Sequence, residues 1–353
     1  MEEESTQLGL DEEPKESKTD SAAESVKSSA WHRINVLRVV CFGIILVLMT
    51  LIAVFLFVKE DELIADDDSS SSIKEQENSS QAQQSSSADE SSKADSSVPE
   101  RVDSGKQGEL AGLETKLTER LKDLPGTWSV YVKNLKTGDT VIINDTSFYP
   151  ASVIKLFAMG ASYQQINDGR INEKDYYGEI YNMAVMSNNR SFNKMVWTLG
   201  RTYISEWCAK CGYTRTFQNH GLHPAPNADG LETSDKPNST CARDVAHMLE
   251  DIYNGKCVSK EASEKMLDIL NQQYYVNKIP YGLPYGTKFA SKSGDTDDQS
   301  HDAAIVFSPN ADYILVIMSE EKGNARNHSQ YFIELSSMVF SYINPGVQTP
   351  VPQ

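Results

Sequence analysis

The sequence predicts an α+β fold for residues 108–345: an antiparallel sheet assembled from the two ends of one domain, with a helical insertion between them. Two observations predict it. Strand-like apolar runs lie near both ends of this segment, and the middle carries apolar residues at helical spacing. A third observation sets the domain's start, because the residues before it are serine-rich and acidic.

Residues 1–38 read as a polar cytoplasmic tail, without hydrophobic periodicity over the first 30 positions. From Val39 to Val58 twenty residues pass without a charge, enough to cross the roughly 30 Å hydrocarbon core of a membrane as a helix. The run is too long for the apolar part of a cleaved signal peptide, and no small-x-small cleavage site follows it. Lys27, Arg33 and Arg38 precede it, whereas Lys59 is followed by Glu60, Asp61 and Glu62. This bias predicts a single-pass anchor with the N-terminus cytoplasmic and the rest of the chain outside the cell membrane. Residues 59–107 carry −8 of the net charge of −17, and 13 of the 29 positions from 69 to 97 are serine, which predicts a disordered, self-repelling stalk. With 50 Asp+Glu against 33 Lys+Arg, the chain lacks the basic balance that nucleic-acid binding needs.

Leu110, Leu113, Leu117 and Leu121 share one face of a helix that opens the domain. Trp128–Lys133 and Thr140–Ile143 alternate as strands around the turn 134–139 and predict a hairpin. A helix beginning near Ser152 follows, then a largely helical middle. Three strands are expected at Lys288–Ser291, Ala303–Phe307 and Tyr313–Met318, the last two joined by the turn 308–312. A closing helix over about 327–343 carries Phe332, Leu335, Met338 and Ile343, and residues 346–353 form a tail.

The helix near Ser152 carries the chemistry. Ile154, Phe157, Ala158 and Ala161 recur at i, i+3, i+4 and i+7, and Lys155 is the only charged residue between Phe148 and Ile166, so the lysine is buried with its helix. Residues three apart share a helix face, which brings the Ser152 hydroxyl and the Lys155 amine together. Burial penalises the ammonium form, as a base that takes a proton from serine requires. The S-x-x-K spacing also occurs at Ser71/Lys74, Ser191/Lys194 and Ser319/Lys322, and only the Ser152 instance sits in uncharged surroundings.

Two further motifs follow in order. Met186-Ser187-Asn188-Asn189 opens an amphipathic stretch with Phe192, Met195, Val196 and Leu199, and Lys292-Ser293-Gly294 ends the apolar strand before the acidic loop Asp295-Thr296-Asp297-Asp298. S-x-x-K, S-x-N and K-S-G in helix, helix and strand contexts form a more specific signature than any one of them. With these residues the chain resembles the class A β-lactamase-like branch of the penicillin-recognising serine hydrolases over about 108–345. The local wording of Phe148–Lys155, Asn238–Asp244 and Lys288–Gly294 is similar to that branch. The resemblance implies a five-stranded antiparallel sheet flanked by the terminal helices, an all-helical subdomain and a cleft between them. It also implies roles: Ser152 as nucleophile, Lys155 as its base, Ser187 as proton relay, and Asn189 as holder of the substrate amide. Lys292, Ser293 and Gly294 would form the carboxylate-binding strand, and the backbone N–H groups of Ser152 and Asp295 the oxyanion hole.

Departures from that pattern are equally informative. The spacer from Lys155 to Ser187 is shorter than in class A enzymes, which implies an opener cleft suited to a larger substrate. The loop Asn219–Asp235 lacks E-x-x-L-N, leaving Glu232, with Asp229 and Asp235, as a deacylation base without an aligned position. His301 stands where those enzymes often carry an arginine for the substrate carboxylate, amid Asp295, Asp297, Asp298 and Asp302. Four carboxylates there would weaken anion binding unless they cap turns. Cys41 falls in the membrane run, and Cys208, Cys211, Cys241 and Cys257 allow three pairings between which the sequence does not choose. The chemistry requires no metal or cofactor, and His220, His223, His247 and His328 show no ligand spacing. Three functions remain open: an acyl hydrolase of β-lactams, a penicillin-binding protein or peptidase acting on cell-wall peptides, and a non-catalytic surface sensor that kept the fold.

Overall fold

A computed structural model describes residues 108–347. The expected cytoplasmic tail, the membrane helix at 39–58, the stalk at 59–107 and the C-terminal residues 348–353 lie outside the described residues. Among the described residues no helix is long and apolar enough to cross a membrane.

Helix α1 (Ala111–Leu121) buries Leu113 and Leu117, with Leu110 just before it. Strands β1 (Thr127–Asn134) and β2 (Thr140–Ile143) form the expected hairpin, with Val130 opposite Ile143 and Lys133 opposite Thr140. A short strand β3 (Ser147–Phe148) leads into a 3-10 turn at Ala151–Val153 and then α2 (Ile154–Asn167). The helical part continues with α3 (Glu173–Ala184), α4 (Asn189–Leu199) and α5 (Tyr203–Lys210). Asn172 and Asn188 accept main-chain N–H groups at the starts of α3 and α4, and so fix where those helices begin. Strand β4 (Thr240–Cys241) pairs with β3, and α6 (Ala242–Tyr253) and α7 (Lys260–Leu270) complete the insertion.

The chain then returns to the sheet through β5 (Lys288–Asp295), β6 (Gln299–Phe307) and β7 (Tyr313–Glu320), and α8 (Ser329–Ile343) closes the domain. The five-stranded sheet has the order β2-β1-β7-β6-β5, every neighbouring pair antiparallel. β1 thus pairs with β7, so the first and last strands of the domain meet, as the sequence pattern predicts. Each sheet face has its own core. Tyr131, Ile305, Ile314 and Val316 pack toward the helical part with Phe157, Phe192 and Leu249, whereas Val130, Val132, Leu315 and Ile317 pack against Leu113, Leu117, Phe332 and Leu335 of the terminal helices.

Two boundaries differ from the sequence reading. β5 carries Lys292-Ser293-Gly294 at its end, as the motif reading expects, but reaches Asp295, past the bounds Lys288–Ser291, and β6 starts at Gln299 rather than Ala303, so His301 and Asp302 belong to a strand rather than an acidic loop. The reason is ladder pairing: Ser291, Ser293 and Asp295 lie opposite Ala304, Asp302 and Ser300, which makes extended backbone out of residues whose polarity suggests a turn.

Candidate active site

Ser152 sits at the centre of the 3-10 turn that joins the β3 strap to α2. Ala151 before it has φ 46°, a left-handed conformation that a non-glycine residue holds only when its surroundings fix it. Val153 N–H donates to Pro150 O at 3.0 Å and tightens the turn from the other side. One turn later Lys155 is fully buried, as expected for the one charge in an apolar helix.

The Lys155 Nζ atom has four polar neighbours: Ser152 Oγ at 2.8 Å, Ser187 O at 2.6 Å, Asn189 Oδ1 at 2.6 Å and Ser187 Oγ at 3.4 Å. Asn189 is oriented by its own amide nitrogen, which donates to His223 O at 3.2 Å, so its oxygen faces the lysine. Burial, reinforced by the charge of Lys292, pushes the Lys155 amine down to about 6. Ser187, in the loop between α3 and α4 with φ 53°, bridges the two lysines, its Oγ lying 3.1 Å from Lys292 Nζ. Lys292 is also buried; burial lowers it to about 7, against the pull of Asp302 and with the push of Lys278, and it donates to Ser293 O at 2.7 Å.

β5 lies against the backbone of Ser152. A Cβ at Gly294 would come within 2.7 Å of Ser152 N and 2.9 Å of Val153 N, so only glycine lets the strand approach. This contact brings the Ser152 N–H beside the strand end at Asp295, where an oxyanion pocket belongs. Ser152, Lys155, Ser187 and Lys292 therefore meet in one hydrogen-bonded cluster, with Asn189 and Gly294 on it and Ser293 next to Lys292.

His301 does not take the predicted role. Its ring is fully buried and Nε2 is bound to Tyr149 O at 2.8 Å, so it offers no surface to a substrate carboxylate. Burial lowers it to about 4, which leaves it neutral. Glu232 is not bonded into the cluster: its side chain is exposed, and none of the hydrogen bonds of Ser152, Lys155, Ser187 or Lys292 among the described residues involves it. The loop runs along α4 instead, its carbonyls at Leu222, His223, Asn227 and Gly230 accepting from Asn193, Asn189, Trp197 and Arg201.

The acidic rim dissolves into pairs. Asp295 accepts from Lys278 Nζ at 2.6 Å and Ser300 Oγ at 2.8 Å. Asp297 pairs with Arg326, and Asp298 accepts the Gly323 N–H. Asp302 is buried, accepts the Ile279 N–H at 2.9 Å, and is raised by burial to about 6. Lys278, missed in the sequence reading, is 1% exposed and also donates to His301 O at 2.9 Å. Its available signal was that it is the only charge between Gln272 and Gly286, in a run of tyrosines and prolines that offers it no local partner.

Cys208, Cys211, Cys241 and Cys257 form no disulfide, and burial raises the Cys208 and Cys241 thiols, the latter to about 12. Buried thiols of that kind are poor nucleophiles. Among the described residues no group of three or more His, Cys, Asp or Glu side chains could hold a metal ion.

A serine hydrogen-bonded to a buried lysine, with a second serine between that lysine and another, is the arrangement that penicillin-recognising serine hydrolases use for acyl transfer. The family comparison agrees, and the chain belongs to the β-lactamase enzyme family, whose profile matches residues 112–177 and 179–343. Among solved structures it is similar to PBP-A at 23% identity, covering 66% of this chain and 96% of that one with a TM-score of 0.59. A PBP-A variant solved as an acyl-enzyme with penicillin G shares 23% identity, covering 67% of this chain and 97% of that one with a TM-score of 0.60. A β-lactamase from Sphaerobacter thermophilus shares 16% identity, covering 67% of this chain and 98% of that one with a TM-score of 0.59. Likeness at these identities speaks for the fold. No curated protein matches the sequence significantly.

Proposed function

We propose that this serine hydrolase is acylated at Ser152 by β-lactams or related amides, and that it works outside the cell membrane on an anchor at residues 39–58. The observation that carries the catalytic part is the bonding of Lys155. A neutral amine has two N–H donors and one lone pair. Ser187 O and Asn189 Oδ1 only accept, and at 2.6 Å each they take the two donors. The lone pair is then left for the Ser152 hydroxyl at 2.8 Å. That arrangement, with the amine lowered to about 6, suits a general base and has no purpose in a sensor that only binds.

In the reaction, Ser152 Oγ passes its proton to Lys155 Nζ and attacks the amide carbonyl carbon. The developing oxyanion is met by the backbone N–H groups of Ser152 and Asp295. Ser187 Oγ, within reach of both lysines, hands a proton to the leaving nitrogen and is reprotonated from Lys155. Lys292 and Ser293 attract the substrate carboxylate, and the second N–H of the Asn189 amide remains for the substrate's own carbonyl.

A second reading, a penicillin-binding protein or peptidase acting on cell-wall peptides, is favoured by one observation: no carboxylate of the 219–238 loop is bonded to the cluster, Glu232 being exposed. The penicillin acyl-enzyme of the PBP-A variant supports acylation under either reading. Intact-mass analysis of the full-length chain in detergent with penicillin G tests the proposal. One penicillin mass is expected on the wild type and none on Ser152→Ala; a label that survives the substitution moves the nucleophile elsewhere. For the anchor, the support is the uncharged run from Val39 to Val58 and its flanking charges. Protease added to intact cells is expected to release a fragment cut within 59–107, and full protection would reverse the orientation.

A further inference from the structure

We propose that His301 is a positioning residue for the nucleophile, clamping the strap of Tyr149, Pro150 and Ala151 that carries Ser152. This inference rests on Ser152 being the nucleophile. His301 lies opposite Gly294 in the β5–β6 ladder, and paired residues on antiparallel strands point to the same side of the sheet. The missing Cβ of Gly294 points at Ser152 N, so the His301 ring reaches toward the same turn. One strand leaves room for the turn and its neighbour holds it.

The contact is specific. A carbonyl oxygen only accepts, so the 2.8 Å bond between Nε2 and Tyr149 O fixes the tautomer with the proton on Nε2. The Phe148 ring meets the imidazole edge to face at 5.7 Å, giving the strap a second hold. Nδ1, by contrast, is buried with no partner, an unfavourable state that an apolar side chain would avoid. Burial keeps the ring neutral despite the nearby Asp295 carboxylate, and the Lys278 ammonium works in the same direction. What the imidazole gains in exchange is the one bond to the strap.

That bond acts on strained backbone. Ala151 is held at φ 46° between the β3–β4 pairing upstream and the Val153–Pro150 bond downstream. Pro150 has no N–H of its own to anchor the strap. Loss of the clamp lets Tyr149–Ala151 relax and shifts Ser152 Oγ relative to Lys155 and the oxyanion donors, without touching any group that binds substrate.

Acylation kinetics of the full-length chain with a chromogenic cephalosporin test this, using wild type, His301→Leu and His301→Gln, with thermal unfolding as the folding control. The expected result for His301→Leu is a maximal acylation rate lower by about 10- to 100-fold at unchanged half-saturation, since small misplacements of a reacting group act on rate. His301→Gln, whose terminal amide N–H reaches about as far as Nε2, is expected to regain most of the rate. A raised half-saturation at unchanged rate would make His301 a substrate contact and overturn the clamp, as would no change in either variant. Nitrogen NMR of the wild-type ring supplies a readout that needs no variant to fold: a protonated Nε2 and bare Nδ1 support the clamp, and the opposite tautomer overturns it. A wild type that takes no acyl label sinks the assignment of Ser152 and the clamp with it, whereas a wild type that is labelled but shows the opposite tautomer overturns the clamp alone.

Discussion

The Ser152 cluster and the 219–238 loop meet at the side chain of Asn189, yet they dispose of their polar groups in opposite ways. In the cluster, reactive side chains face one another: Lys155 reaches Ser152 and Asn189, while Ser187 connects Lys155 to Lys292. In the loop, main-chain carbonyls face inward and accept from α4, while the side chains of Asp229 and Glu232 stay exposed. The cluster thus gathers reactive side chains, and the loop packs beside it as a wall. Under the proposed function, forming the acyl-enzyme draws on the cluster, whereas hydrolysing it needs a base aimed at water on the ester's open face, and no carboxylate of the loop is bonded to the cluster.

The largest expected effect is on the cluster side. Lys155→Met should slow acylation by about 100- to 10,000-fold, the usual worth of general-base help, as read by the rate of penicillin labelling. In the wild type the labelling rate should climb with pH through about 6, as Lys155 loses its proton, and then level off. Stability follows the same group with a definite sign. The amine is lowered to about 6 in the folded state from 10.5, so between those values the unfolded chain binds more protons and stability rises with pH. Lys292, lowered to about 7, adds to the same slope. Lys155→Met lacks this contribution, so its thermal midpoint should exceed the wild type's most near pH 6 and by less at pH 10. A gap that widens with pH would mean the lysine is charged when folded.

Gly294→Ala comes next, since it strikes a place where β5 lies against the backbone of Ser152. The added Cβ would lie 2.7 Å from Ser152 N and 2.9 Å from Val153 N, both main-chain atoms with little freedom to yield. Overpacking of this kind costs about 1–3 kcal/mol, and displacement of the Ser152 N–H should cut acylation by roughly 100-fold. Denaturant unfolding and labelling rates check the two halves separately. Near-normal labelling would show that the oxyanion pocket is not built against this strand.

The comparison also explains what the sequence made legible. Ser152, Lys155, Ser187 and Lys292 could be read because each has a chemical need for its neighbours, and motif order preserves that need across long separations. The sheet's central pairing could be read because apolar strands lie at both ends of the domain. The polar half of the β5–β6 hairpin could not. Ser291, Ser300 and His301 are buried strand residues whose polarity imitates a turn, and the bonds of His301 come from Tyr149 in the strap and from Lys278, both remote in sequence. His301 was misread for that reason: nothing in its local sequence reveals that Tyr149 O will lie beside it.

The smallest expected effect sharpens the comparison most. With no carboxylate from the loop at the cluster, β-lactams should acylate Ser152 and leave slowly, so pre-steady-state kinetics should show a burst of about one equivalent followed by a slow phase. Glu232→Gln should change neither phase, because the side chain is exposed and bound to nothing in the cluster. The loop's hold on α4 explains why Glu232 stays out: bonds from Asn189, Asn193, Trp197 and Arg201 fix residues 222–230 along the helix. Bringing Glu232 inward would require the loop to surrender some of those bonds and to expose buried Leu231. Rapid turnover without a burst, lost in Glu232→Gln, would show that the loop does make that movement. The wall would then be a moving part, and the protein an efficient β-lactamase.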